Sequence, residues 1–413
     1  MNRKFLKDRG LTRRDLMRAG LATGAAGLAG ALPLPRVFGG VRDAAAATPD
    51  DKRILVVFEM SGGNDGLNTV VPYGDDAYYQ ARPAIGIPAD EVLAIDEHFG
   101  FNPGVVGFER LYKDGKMAIV HGCGYDNPSF SHFTSMAYWH TAAPNSGEAY
   151  GWVGRTADAM KPGGAENFLV NIDATQSLAV QSRDHVPVVF DNPANFVREG
   201  FLQEKELLAH VPSANDGNPS RRYLEQIAQS ALDASALVRE AWANYDTPVD
   251  YGLVPLDLDK IASLIAGDMP TRLYYTSFRN NAFDTHVHQG NLHRRLLTYS
   301  ADAVLGFMRD MERIGRADDV TMLIFSEFGR RVPENTSLGT DHGAANNMFV
   351  VGKPVKGGHY GDISSLTTLD DGDNLLPTTD FRRVYATIIE NWLGVADAST
   401  VLHGEFEPFD MFG

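Results

Sequence analysis

From residue 52 onward, short mostly apolar runs alternate with stretches whose apolar residues recur at helical spacing. The runs at 54–58, 117–120, 168–172, 271–276, 320–325 and 348–351 are too short for helices and predict buried strands. A further run at 186–190 contains Pro187, which removes a ladder donor and predicts an edge position. Between them, 104–111, 131–140, 261–265, 291–314 and 380–393 read as helices. In the longest, Leu297, Ala301, Val304, Met308 and Met311 fall on one side. Strand and helix in alternation, joined by short loops, imply an α/β fold with a central mostly parallel sheet and helices on both faces. The stretch 195–265 departs from this rhythm. Helical spacing at 199–208 and at 220–245, where Leu224, Ile227, Ala231, Ala234, Val238 and Trp242 share a side, predicts a helical insertion.

The start of the chain is read differently. Thr12-Arg-Arg-Asp-Leu-Met17 precedes a small-residue apolar run from Ala19 to Leu34, and Ala44 to Ala47 offers a cleavage site. These are the parts of a twin-arginine signal, so residues 1–47 are expected to engage the twin-arginine translocase during export to the periplasm or beyond. Four glycines in the run make a poor helix, and it is short for a membrane anchor. Residues 48–413 are then expected to form one domain carrying the insertion near 195–265, with no membrane span. The first 47 residues carry a net charge of +6, so their removal takes the formal charge from −16 to −22. Such acidity disfavours nucleic acid and anionic membranes as partners. A single cysteine, Cys123, allows no internal disulfide.

Polar and charged residues gather after the predicted strands. They are Asp65 and Asn68, then Ser129, Ser131 and His132, then Asp284, His286 and His288, then Glu327, Arg330 and Arg331, and finally Asp341 and His342. Carboxyl ends of parallel strands share one edge, so these loops are expected to meet in one pocket. Carboxylates and imidazoles in this number suit one or two divalent ions such as Zn, Mn or Ca. Two ions would clamp the oxygens of an in-line displacement, with Arg330 and Arg331 holding the oxyanion.

The segments Met60-Ser-Gly-Gly-Asn-Asp-Gly-Leu-Asn-Thr-Val-Val-Pro72, Ser131-His-Phe133, Phe283-Asp-Thr-His286, Ser326-Glu-Phe-Gly-Arg330, Glu334-Asn335 and Gly339-Thr-Asp-His-Gly343 resemble the bacterial exported family labelled domain of unknown function 1501. That family is similar to the alkaline phosphatase and sulfatase superfamily. The resemblance implies an alkaline-phosphatase-like three-layer sandwich and a metal-dependent hydrolase of phosphate or sulfate esters, acting on a small-molecule or glycan ester. It implies metal roles for Asp65, Asp284, His286, His288, Glu327, Asp341 and His342, with His286 and His288 competing for one of them. It places Ser131 or His132 at the nucleophile position. The superfamily's Ser-Asp-His-Gly stands here as Ser326-Glu-Phe-Gly329, so Phe328 replaces an expected histidine ligand. The alternative is a degenerate relative that binds a glycan, polymer or partner protein without turnover.

Overall fold

The computed structural model describes residues 52–196 and 234–413. The signal segment and most of the expected insertion lie outside the described residues. All described residues except 234 and 235 belong to one compact unit.

Among the described residues, nine strands form its main sheet: β1 (Ile54–Met60), β2 (Met117–Gly124), β3 (Leu169–Ile172), β4 (Val188–Phe190), β5 (Leu273–Phe278), β6 (Val320–Phe325), β7 (Asn346–Val351), β8 (Gly358–Tyr360) and β9 (Thr379–Asp380). Their order is β8-β2-β7-β6-β1-β5-β3-β4, with β9 also paired to β2. The central β1 runs parallel to β5 and β6, and β3 runs parallel to both β5 and β4. Only β7 runs against its neighbours, β2 and β6. The strand after Pro187 lies at the end of the order, where a missing ladder donor is harmless.

Helices α1 (Asp76–Ala81), α2 (Val106–Lys113), α3 (His132–Thr141), α4 (Trp152–Met160), α5 (Leu258–Ala266), α6 (Gln289–Arg313), α7 (Arg382–Thr387) and α8 (Ser399–Leu402) complete the frame. Leu55 and Val57 of β1 share a core with Trp139, Trp152, Val153, Tyr385 and Val401. The alternate residues Ile54, Val56 and Phe58 are equally buried. On that second face Phe108 of α2 meets Phe349 of β7, their ring centres 5.4 Å apart, and α6 packs against both α2 and α5. Burial on both faces is why these strands read as continuous apolar runs rather than alternating ones.

The structure departs from the sequence reading in extent rather than kind. β1 continues through Glu59, a buried carboxylate bonded by His140 and Tyr275 and so invisible as a strand residue. The closing helix is α7 followed by a π turn over Ile388–Trp392. Strands of two or three residues, including the hairpin of Gly329–Arg330 with His342–Gly343, are too short to leave a period in the sequence.

Candidate metal centre

β1 ends at Met60 and the chain turns sharply through Gly62 and Gly63, at φ of +118° and +76°. Glycine is needed at both. A Cβ on Gly62 would lie 2.5 Å from the Asp284 amide nitrogen, and one on Gly63 would lie 2.2 Å from the Phe328 ring. The turn aims two amides at Glu327. The Gly62 amide donates to both carboxylate oxygens at 2.8 and 3.0 Å, and the Gly63 amide donates to Oε2 at 3.1 Å. Ser326 Oγ lies 3.0 Å from the same Oε2. Glu327 is fully buried, and its Oε1 accepts the last hydrogen bond, from His132 Nδ1 at 2.9 Å.

That bond fixes the His132 tautomer. With Nδ1–H given to a carboxylate, Nε2 is left with its lone pair, 3.4 Å from Asp284 Oδ2. His342 repeats the pattern: Nδ1 meets the Phe130 carbonyl at 2.7 Å, an atom that only accepts, so the proton is on Nδ1. Its Nε2 then faces Asp284 Oδ1 at 3.0 Å. His286 does the same with Asp341 Oδ1 at 3.3 Å from Nδ1, and its Nε2 lies 2.9 Å from Asp284 Oδ1 and 3.0 Å from His342 Nε2. Three imidazoles thus turn their Nε2 atoms toward one carboxylate, with Arg330 Nη1 also 3.4 Å from that of His286. His132, Asp284 and His342 place their ligand atoms within 4.8 Å of one another.

Facing lone pairs repel, so the arrangement calls for a cation or shared protons at its centre. Local charges tune it further. Burial raises the proton affinity of Asp284, but the close contacts of His342 and Arg330 and the Arg330 charge hold its pKa at about 2. The Glu327 hydrogen bond raises the His132 pKa against the effect of burial, whereas burial lowers that of His342. Each imidazole backed by a carboxylate or carbonyl at its far nitrogen is the usual outer arrangement of metal-binding histidines.

The expected site residues divide into two sets. His132, Asp284, His286 and His342 converge, with Glu327 and Asp341 behind them as orienting carboxylates. Asp65 does not join them. It is fully buried, and its Oδ2 is 2.7 Å from Arg82 Nη1 and 2.5 Å from Gln289 Nε2. Arg82, the C-cap of α1, also donates to Asn68 and to the carbonyls of Arg331 and Val332. Its Oδ1 accepts from the Asn68 amide at 3.2 Å, so both oxygens of this buried carboxylate are engaged within the protein and Asp65 forms an internal ion pair apart from the cluster. His288 stands exposed at the N-cap of α6, outside the cluster.

Arg330 also differs from expectation. Its buried guanidinium donates to the carbonyls of Gly62, Gly63, Phe283 and Thr340 and to Asp284, which leaves little to offer a substrate oxyanion. It pins three loops together instead. Phe328 packs its ring against His132 and His342, with centres 5.0 and 4.4 Å away. Ser131 is exposed at the N-cap position of α3, and its side chain makes no capping bond. Arg82 and Gln289 stand in no motif, so nothing in the sequence marks them. The Phe130 carbonyl, being backbone, carries no residue-type signal at all.

Residues 271–404 match the model of a family described as "Protein of unknown function (DUF1501)". No curated protein matches the chain. Among solved structures, the chain is similar to the C-terminal periplasmic domain of EcEptC from Escherichia coli in complex with Zn, at 12% identity and a TM-score of 0.35, covering 74% of each chain. It is also similar to a protein in the alkaline phosphatase superfamily from Vibrio parahaemolyticus, at 12% identity and a TM-score of 0.36, covering 80% of this chain and 65% of that one. A third is the PsFucS1 sulfatase from Pseudoalteromonas sp., at 10% identity and a TM-score of 0.37, covering 89% and 72%. The family match takes in Asp284, His286, Glu327, Arg330, Asp341 and His342, so most of the cluster lies in the stretch that resembles the family of unknown function 1501.

Proposed function

We propose that this chain is an exported, metal-dependent hydrolase of phosphate or sulfate esters that works with one divalent ion. The carrying observation is the set of three imidazoles whose Nδ1 atoms are tied outward and whose Nε2 atoms face Asp284. His132, His286, His342 and Asp284 would hold the ion, a three-nitrogen, one-oxygen set that suits Zn or Mn better than oxygen-seeking Ca. The commitment of Asp65 to Arg82 and the Phe328 ring beside the cluster favour one ion over two. When bound, such an ion supplies Lewis acidity to an ester oxygen and lowers the proton affinity of the attacking oxygen.

The remaining chemistry falls to the chain. Ser131, with its hydroxyl free of capping duty, is the candidate nucleophile, and water is the alternative. The first amides of α3 lack a side-chain cap, so they favour the oxyanion that Arg330 is too occupied to bind. Export by the twin-arginine translocase follows from residues 12–47 and fits a site assembled before transport. A second reading, binding without turnover, draws on Phe328 standing where a ligand histidine was expected.

The test is turnover of an aryl phosphate and an aryl sulfate by the full chain loaded in turn with Zn, Mn, Ca and Mg. The proposal expects hydrolysis of one ester class, abolished in Ser131→Ala with the ion retained and in His342→Ala with the ion lost. Partial activity in Ser131→Ala points to attack by water. No turnover with any ion, alongside normal ion binding, replaces hydrolysis with binding.

A further inference from the structure

The residues that carry the cluster alternate with apolar side chains that face solvent. Phe133, next to His132, is 89% exposed, and Val287, next to His286, is 57% exposed. Phe130, whose carbonyl orients His342, is 39% exposed, and Leu338 is 40% exposed. Leu338 is held beside Val287, because its carbonyl accepts from the Gln289 amide and the Ser337 carbonyl accepts from the His288 amide. The adjoining Gly339 lies so close that a Cβ there would meet the His286 backbone at 2.3 Å. Among the described residues, neither Phe130 nor Phe133 stacks on another ring. Exposed apolar groups gathered round a polar site are a candidate surface for a ligand. The cation that reaches the cluster, Arg330, is buried and spent on carbonyls, so it does not favour a charged polymer there.

We infer that the ester taken by this site has an apolar alcohol group of about aromatic size, seated on Phe133, Phe130, Val287 and Leu338. This rests on the proposed hydrolase reading, which supplies the oxyanion end of the same molecule. The apolar rim would contribute to choosing the substrate, and the cluster to the bond that breaks. An exposed ring beside a ligand residue costs solubility in the empty state, a cost that a bound apolar group would relieve.

The experiment compares 2-naphthyl with methyl phosphate, and the matching sulfates, on zinc-loaded wild type, Phe133→Ser and Phe133→Leu. Ion content measured alongside reports folding. Wild type is expected to prefer naphthyl over methyl in kcat/KM, with that ratio falling about tenfold in Phe133→Ser and largely restored in Phe133→Leu. If wild type hydrolyses neither ester, calorimetric binding of naphthyl and methyl phosphonate is compared in the same way. A Phe133-dependent preference there upholds the inference while the hydrolase reading falls. An unchanged ratio, or no binding of either phosphonate and no turnover, overturns it. Sedimentation provides the last control. A wild-type dimer or a vesicle-bound protein that Phe133→Ser releases, with no change in ratio, assigns the rim to a second copy or to lipid and also overturns it.

Discussion

Asp65 and Asp284 follow the two adjacent parallel strands β1 and β5 at one edge of the sheet, yet they live in opposite surroundings. Asp65 is wholly buried, paired with Arg82 and closed over by Gln289. The Asp284 side chain is 31% exposed and faces three imidazoles. Position after a strand made both look like ligands, but burial and the neighbouring imidazoles separate them. Each has a buried guanidinium beside it, Arg82 at 2.7 Å from Asp65 and Arg330 at 2.9 Å from Asp284, but only Asp284 is also faced by imidazole nitrogens and partly open to solvent.

The largest expected effect lies on the buried side of this comparison. Arg82→Met leaves the Asp65 charge uncompensated and should destabilise the fold by about 3–5 kcal/mol in denaturant unfolding. Ion affinity in the folded fraction should stay near wild type. Loss of the ion in that variant would merge the two regions into one site.

Glu327→Gln tests the other side. It keeps the side-chain shape but weakens the acceptor that sets the His132 tautomer. Ion affinity should fall about 10–100-fold by titration, with most of the stability retained. Affinity equal to wild type would remove His132 from the ligand set.

Acid dependence sharpens the contrast. Burial raises the proton affinity of Asp65, but the charges of Arg82 and His293 and the hydrogen bonds from Arg82 and Gln289 outweigh it and hold the carboxyl below its ordinary range. A depressed folded pKa contributes stability that is complete above the unfolded value, near 3.9, and is lost as pH falls through the folded value. Below about pH 4 the stability of wild type should therefore drop toward that of Asp65→Asn, measured by urea unfolding across the acid range. Parallel curves would contradict the ion pair.

The smallest effect belongs to His288. As an exposed N-cap residue outside the cluster, His288→Ala should alter stability by less than about 0.5 kcal/mol and leave ion content unchanged.

Much of this was legible in the sequence because burial on both faces writes apolar runs that need no partner to be read. The sequence also indicated that Asp284, His286, His342 and His132 meet, since carboxyl ends of parallel strands share an edge. What it hid were contacts made through space by unmarked residues. Arg82 is 17 residues past Asp65, and nothing in its context says that its guanidinium turns inward. Glu327 and Asp341 looked like ligands because a carboxylate behind a histidine and one in front of it are the same residue type. Distinguishing His286 from His288 required knowing that the chain enters α6 at His288 in the left-handed conformation.

Elemental analysis of the folded, purified chain tests the central claim most directly, run on wild type, Asp65→Asn and Asp284→Ala. The account predicts one divalent ion per chain in wild type and in Asp65→Asn, and none in Asp284→Ala. Two ions in wild type, an ion lost from folded Asp65→Asn, or one retained in Asp284→Ala would contradict it.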